Sequence, residues 1–331
     1  MDYLYLYDNF WALTVTGLSL GSIYALIALG YTLVYGVLQL INFAHSEVFM
    51  YGTFAASWIL LFVGAHANGS APEVIGWFVL ALVAAMLMSS AIALLLERVA
   101  YRPLRRRNAP RLVALISAIG ASFALAEAMG LRDRITAWVG LDDVLHRYVI
   151  NARENIGFPD IIHPDPVFTL FDYKVTNVDI LVITSAFVMM VLLDQFVQRS
   201  RLGRGIRSVS QDPEAAALMG VNSDRVIQVT FALGGLAAGG AAALYMFKIG
   251  VSRYDVGFIL GVKAFTAAVL GGIGNLRGAL LGGLILGVAE NYGSALVGTQ
   301  WKDVVSFVLL VVILLFRPTG LLGESLAGTR A

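Results

Sequence analysis

Residues 199–225 read RSRLGRGIRSVSQDPEAAALMGVNSDR, the longest polar interruption in the second half of an otherwise lipid-soluble chain. A compact helix is written inside it. Asp212 is a good N-cap, Pro213 suits the first helical position, Glu214 favours the positive helix end, and Gly220 can leave the helix with positive φ. A helix of about two turns is marginal in water, and the run Ala215, Ala216, Ala217, Leu218, Met219 is apolar without membrane-spanning length. It needs a surface to dock on. That surface is its own membrane domain, the lipid interface, or a soluble partner into which the helix inserts as a lever.

The flanking sequence is that of a polytopic membrane protein. Of 331 residues, 58% are hydrophobic and 14% charged, and the mean hydropathy of +0.78 lies outside the soluble range. A net charge of +1 decides little, because the charges are segregated along the chain. Basic residues do not interleave with aromatics, so no nucleic-acid partner is expected. The absence of cysteine excludes disulfides and thiolate sites, and four scattered histidines offer no metal spacing. The opening MDYLYLYDNFWAL lacks the basic region and cleavage site of a secretory signal, so the first apolar segment is expected to stay in the protein. With no low-complexity linker, residues 1–331 read as one integral membrane domain.

Phe10 to Val37 is apolar but carries Gly17, Gly21, Gly30 and Gly36. As a straight helix it would run about 42 Å against a hydrocarbon core of about 30 Å, which predicts a break near Gly30. Gly17, Gly21 and Ala25 form an i, i+4, i+8 stripe for close helix packing. A polar corner follows with Gln39, Asn42, His45, Ser46 and Glu47, then apolar spans over 48–63 and 74–96. The stretch ERVAYRPLRRRNAPR places six arginines between Arg98 and Arg111, and the positive-inside rule makes this loop cytoplasmic.

Residues 112–130 span next. Residues 131–177 are a hydrophilic excursion whose acids (Asp133, Asp142, Asp143, Glu154, Asp160, Asp165, Asp172) outnumber its bases, which places it outside as an ordered loop. Residues 178–197 return to the cytoplasm, where Arg199, Arg201, Arg204 and Arg207 agree on sidedness with the first cluster. Residues 226–247 then span outward. Residues 262–291 contain GGIGNLRGALLGGLILG, too long for one helix and too polar at Asn275 and Arg277 to face lipid, so a broken pair is predicted. Gly274, Gly278 and Gly282 form a second small-residue stripe. A last span covers 303–316. Parity puts Arg317 and Arg330 inside, and a break near Gly30 would put the N-terminus inside as well. The fold class is all-α, about ten membrane segments in two related halves, each with a broken Gly-rich segment. Such pairs mark either the pathway of a transporter or tight packing of a bundle.

Intramembrane ionisable residues are the first candidates for chemistry: Glu47, Glu127, Lys248, Lys263 and Glu290. Lys248 and Lys263 sit at span ends and can snorkel, Glu290 lies near an interface, and Glu127 is expected to bond to a neighbouring helix. The chain holds no GxSxG, no HExxH and no aspartate pair for intramembrane proteolysis, which speaks against an enzyme. A phosphate-cradling GxxxxGK[ST] is also absent, since Lys174, Lys248, Lys263 and Lys302 follow Tyr, Phe, Val and Trp. No cofactor is expected in this chain. If ATP drives the protein, another subunit binds it.

Glu214-Ala215-Ala216 followed by Gly220 resembles the EAA loop of bacterial ABC-importer permeases, although the Ile-x-Leu-Pro continuation of that motif is missing. GLSLGSIYALIALGYTLVYGVLQLINFAHSEVFMYG, ERVAYRPLR, LISAIG, KAFTAAVLGGIGNLRGALLGGLILGVAE and KDVVSFVLL together resemble the LivH-type permease of the high-affinity branched-chain amino-acid importer. The likeness runs from Gly17 to Gly320 apart from the loop 131–177, with Ser46 where that family usually has Gly. It implies a bacterial inner-membrane subunit working with a LivM-type second permease, two cytoplasmic ABC ATPases and a periplasmic binding protein for leucine, isoleucine or valine. On that basis 199–225 is a coupling loop. Arg204, Arg207, Asp212, Glu214, Ala215, Ala216, Met219 and Gly220 are its ATPase-coupling residues. Asn42, His45, Glu47, Gly271, Gly272, Gly274 and Asn275 are candidates for the translocation pathway. Related permeases carry urea, other amides or other amino acids, and an ion-coupled secondary transporter using Glu127 or Glu47 is the alternative mechanism.

Overall fold

The computed structural model describes residues 3–67, 69–140, 148–149, 153–171 and 173–323. Asp142, Asp143, Asp172 and Arg330 lie outside the described residues. Helix accounts for 79% of the structure. In chain order the helices are α1 (Tyr3–Asp8), α2 (Phe10–Leu38), α3 (His45–Val63), α4 (Ala71–Leu96), α5 (Arg102–Arg106), α6 (Arg111–Gly130), α7 (Arg132–Val139), α8 (Asn177–Arg199), α9 (Arg201–Gln211), α10 (Pro213–Leu218), α11 (Ser223–Ile249), α12 (Val256–Gly271), α13 (Leu276–Val297) and α14 (Lys302–Phe316). Among the described residues eight helices are long and apolar enough to cross a membrane, and α12 is apolar but shorter. Among the described residues strands form two antiparallel pairs, β1 (Ile156–Gly157) with β4 (Val251–Ser252) and β2 (Pro166–Leu170) with β3 (Tyr173–Thr176).

The chain forms two compact units, one of Met1–Gln39, Pro164–Thr230 and Val262–Ala331, the other of Leu40–His163 and Phe231–Gly261. In the first, α13 lies between α2 and α12 with small residues on both faces. The Gly17/Gly21/Ala25 stripe meets α13: a β-carbon on Gly21 would fall 2.8 Å from the Gly283 carbonyl oxygen, and one on Gly17 2.8 Å from Val288 Cα. Backbones this close gain dispersion contact that any larger side chain would remove. Gly278 and Gly282 face the other way, against Gly271 and Ala267 of α12, whereas Gly274 has open space around it. Helix α8 joins through Asp179, fully buried, whose carboxylate accepts from Ser19 Oγ at 2.9 Å and from Thr176 Oγ1 at 2.7 Å, closing a capping box.

The break predicted near Gly30 does not occur. Helix α2 runs unbroken, with Gly30 buried in its interior. Glycine interrupts a helix when water competes for its backbone groups, and burial removes that competition. The chain leaves the helix at Gln39, which adopts φ 53°. With one span fewer in this half, parity from the Arg98–Arg111 cluster puts the N-terminus on the opposite side from the one expected. The second predicted break is present, between Gly271 and Leu276.

In the second unit α4 shows how sequence period becomes burial. Ile75, Val79, Val83 and Leu87 are exposed, an apolar stripe for lipid, while Ala81, Ala85, Ser89 and Ala93 are buried. Ala81 and Ala85 pack with Ala56 and Leu60 of α3 and Ala243 and Met246 of α11. The arginine stretch, expected as a loop, is helical as far as Arg106. A single π turn, Glu97–Tyr101, accommodates Pro103, whose ring would otherwise meet the carbonyl four residues back.

Candidate functional site

The loop after α8 is a chain of capped short helices. Ser200 Oγ accepts the Gly203 N–H at 2.8 Å to start α9, and a β-carbon on Gly203 would lie 2.6 Å from the Phe196 carbonyl oxygen. Helix α9 buries Gly203, Ile206 and Val209 and exposes Arg204 and Arg207. Arg207 donates to the Val197 carbonyl in the last turn of α8, where a cation suits the helix dipole. Asp212 Oδ1 then accepts from the N–H groups of Glu214 (2.9 Å) and Ala215 (3.0 Å), Pro213 opens α10, and Gly220 turns the chain out at φ 85°. Asn222 caps the next helix by accepting the Arg225 N–H at 3.0 Å.

Every residue of α10 except Ala216 is exposed. Ala216, expected on the exposed contact face, is only 5% exposed and packs inward. Leu218 at 89% and Met219 at 84% stand out from the protein. Sequence reading picked out Met219 but not Leu218. The α-helical spacing that separates Ala216 from Leu218 by about 200° carries the signal.

The pathway candidates fall into the two different units. Asn42, His45 and Glu47 lie in one, all buried. Asn42 Oδ1 accepts from Tyr101 Oη at 2.7 Å, and Glu47 Oε1 accepts from Ser122 Oγ at 3.2 Å and Ser46 Oγ at 3.4 Å. Gly271, Gly272, Gly274 and Asn275 lie in the other and build a helix junction. Gly272 and Gly274 have φ of 105° and 98°, which only glycine adopts readily. Asn275 caps α13 through the Arg277 and Gly278 N–H groups and donates to the Leu322 carbonyl at 2.9 Å. Leu321 and Leu322 N–H bond to the carbonyls of Leu270 and Gly271, satisfying the open end of α12.

Two expectations about charged residues change. Lys263 does not snorkel: its Nζ is 2.6 Å from Glu290 Oε1 and 2.6 Å from Asp303 Oδ1, with Lys302 3.8 Å from Glu290. Lys263 and Glu290 are 27 residues apart in sequence, so no local spacing reveals the pair. Glu127 bonds to Arg153 at 2.8 Å, outside the helices, and both side chains are more than half exposed.

Eight helices long and apolar enough to cross a membrane, among the described residues, make this a multi-pass membrane protein, and comparison with known families places it among transport permeases. Within that class the chain belongs to the branched-chain amino acid transport system permease component family, whose profile matches residues 13–314. It is 42% identical over 313 residues to the high-affinity branched-chain amino acid transport system permease protein BraD of Pseudomonas aeruginosa, covering 94% of each chain. It is also 42% identical over 313 residues to the permease protein LivH of Escherichia coli K12, covering 93% of this chain and 94% of that one. A probable LivH of Methanocaldococcus jannaschii is 24% identical over 90% of this chain and 88% of its own. No solved structure matches.

Proposed function

We propose that this chain is a membrane-spanning subunit of an ATP-driven importer that moves leucine, isoleucine and valine across a bacterial inner membrane. A second, related permease pairs with it, two cytoplasmic ATPase subunits bind the ATP, and a periplasmic binding protein delivers the substrate. The chain itself holds no cofactor and no ATPase site. Residues 131–177 face the periplasm and residues 199–225 form the coupling loop.

The observation that carries this reading is α10: a capped helix presenting Leu218 and Met219 to solvent at its end, beside arginine clusters that favour the cytoplasmic side. Two large apolar side chains held nearly fully exposed fit a cleft on a soluble partner. Closure of the ATPase dimer pushes α10, and Asp212, Pro213 and Gly220 keep it from yielding. Glu214 and Arg204 are exposed for polar contact at the rim and Ala215 is exposed for apolar contact, while Ala216 and Arg207 hold the lever to its base.

The test is reconstitution with the three partners in vesicles. Leucine uptake driven by internal ATP is expected, and Leu218→Asp should lower both uptake and substrate-stimulated ATP hydrolysis at least tenfold. Uptake and hydrolysis within twofold of wild type in Leu218→Asp would sink the lever. Uptake that collapses with a protonophore at constant ATP would favour an ion-coupled carrier instead.

A further inference from the structure

Among the described residues three glutamates are fully buried, Glu47, Glu97 and Glu290, and they are treated differently. Glu290 and Glu97 have their cations inside the chain, Lys263 at 2.6 Å and Arg105 at 3.1 Å. Glu47, 1% exposed, has none: among the described residues its carboxylate makes no ion pair, and the charged group acting on it is another anion, Asp255. Its hydrogen-bond donors are two neutral hydroxyls, Ser122 and Ser46, both on Oε1. Oε2 has no hydrogen-bond partner.

Depth makes the lack of a cation significant. Ser122 lies eleven residues into α6, so the carboxylate it touches sits about 16 Å from the inner end of that helix, halfway through a hydrocarbon core of about 30 Å. The carboxylate is held there by construction. It belongs to the first turn of α3, and its Oε2 lies over Gly257 in the first turn of α12, 2.7 Å from where a β-carbon would be. Two helix N-termini favour the anion, yet leave it without a counter-charge. A charge in that position is costly unless a cation arrives, and the general expectation for such a residue is a place on a substrate or ion path.

We propose that Glu47 is the residue that receives the ammonium group of the transported α-amino acid at mid-membrane, with Ser122 and Ser46 orienting its carboxylate. This rests on the reading of the chain as an amino-acid permease. Each substrate then carries its own counter-charge past Glu47, and the protein needs no fixed cation there. A fixed one would compete with the substrate.

The experiment uses the complete importer in vesicles, with radiolabelled leucine. Glu47→Gln keeps the size and the capacity to bond to both serines, and is expected to lower uptake at least tenfold, with Glu47→Asp retaining more activity than Glu47→Gln. If Glu47 were a neutral, hydrogen-bonded packing residue, Glu47→Gln would transport within twofold of wild type, and that result overturns the proposal. A second measurement needs no variant: a hydrophobic carbodiimide should label Glu47 of the turning-over wild-type complex at least fivefold more slowly with leucine present, and equal rates overturn the proposal. Wild-type uptake abolished by a protonophore at constant ATP would assign Glu47 a proton instead. A wild-type complex that moves no leucine refutes the permease reading, whereas a working importer indifferent to Glu47→Gln refutes this inference alone.

Discussion

Replacing Lys263 by Met tests whether the buried charge cluster of α12, α13 and α14 is an ion pair that the membrane domain depends on. Glu290 is fully buried and one of its oxygens already lacks a hydrogen bond. Removing the cation from such a pair strands a carboxylate in a low dielectric, at a cost of about 3–5 kcal/mol. Lys302 is 3.8 Å from Glu290 and can close on it, which holds the loss near the lower figure, about 3 kcal/mol. Asp303 is half exposed and water replaces its partner. The double variant Lys263→Met/Glu290→Leu exchanges the pair for apolar groups, which buried pairs tolerate with a change of about zero or a gain of ~1–4 kcal/mol. The double variant should therefore be more stable than Lys263→Met alone, with strong non-additivity in a double-mutant cycle. Reversible unfolding in mixed micelles, followed by tryptophan fluorescence, measures all four corners. Single variants that each lose less than about 1 kcal/mol, and a double variant that loses their sum, would show that Lys263 and Glu290 do not interact energetically.

Two further outcomes follow from the packing and the caps. Gly287→Val pushes a side chain into α2, since a β-carbon there would already fall 2.5 Å from Gly21 Cα, and should lower the yield of folded protein sharply; Gly76→Ala, with open space around it, should not. Equal yields of the two variants would contradict the close contact of α2 and α13. Asp212→Ala removes the acceptor for the Glu214 and Ala215 N–H groups, and a cap of this kind is worth about 1 kcal/mol, so exchange of those two amides with solvent should speed up about fivefold. Unchanged exchange would mean that α10 does not depend on its cap.

The loop over residues 199–225 was the most legible part of the chain. Asp212, Pro213 and Gly220 act within a few residues of themselves, and local hydrogen bonding and φ preferences are written in residue type. The same holds for the lipid-facing stripe on α4 and for the small-residue stripes, whose period survives any tertiary arrangement. Sequence also showed that Gly271–Asn275 interrupts a span, because polar residues and clustered glycines cannot continue a lipid-facing helix.

What sequence alone determined, then, is the class of the protein and the short capped helix between Arg199 and Arg225. Tertiary structure decided which stripe meets which: Gly17 and Gly21 face Gly283 and Gly287, while Gly278 and Gly282 turn to α12. It decided that α2 stays whole through Gly30, that Ala216 turns inward while Leu218 turns out, and that Glu290 has a cation while Glu47 does not. These are matters of burial and of partners distant in sequence. A helix break, an exposed side chain and a compensated charge each depend on what packs alongside, and the chain acquires those neighbours only by folding.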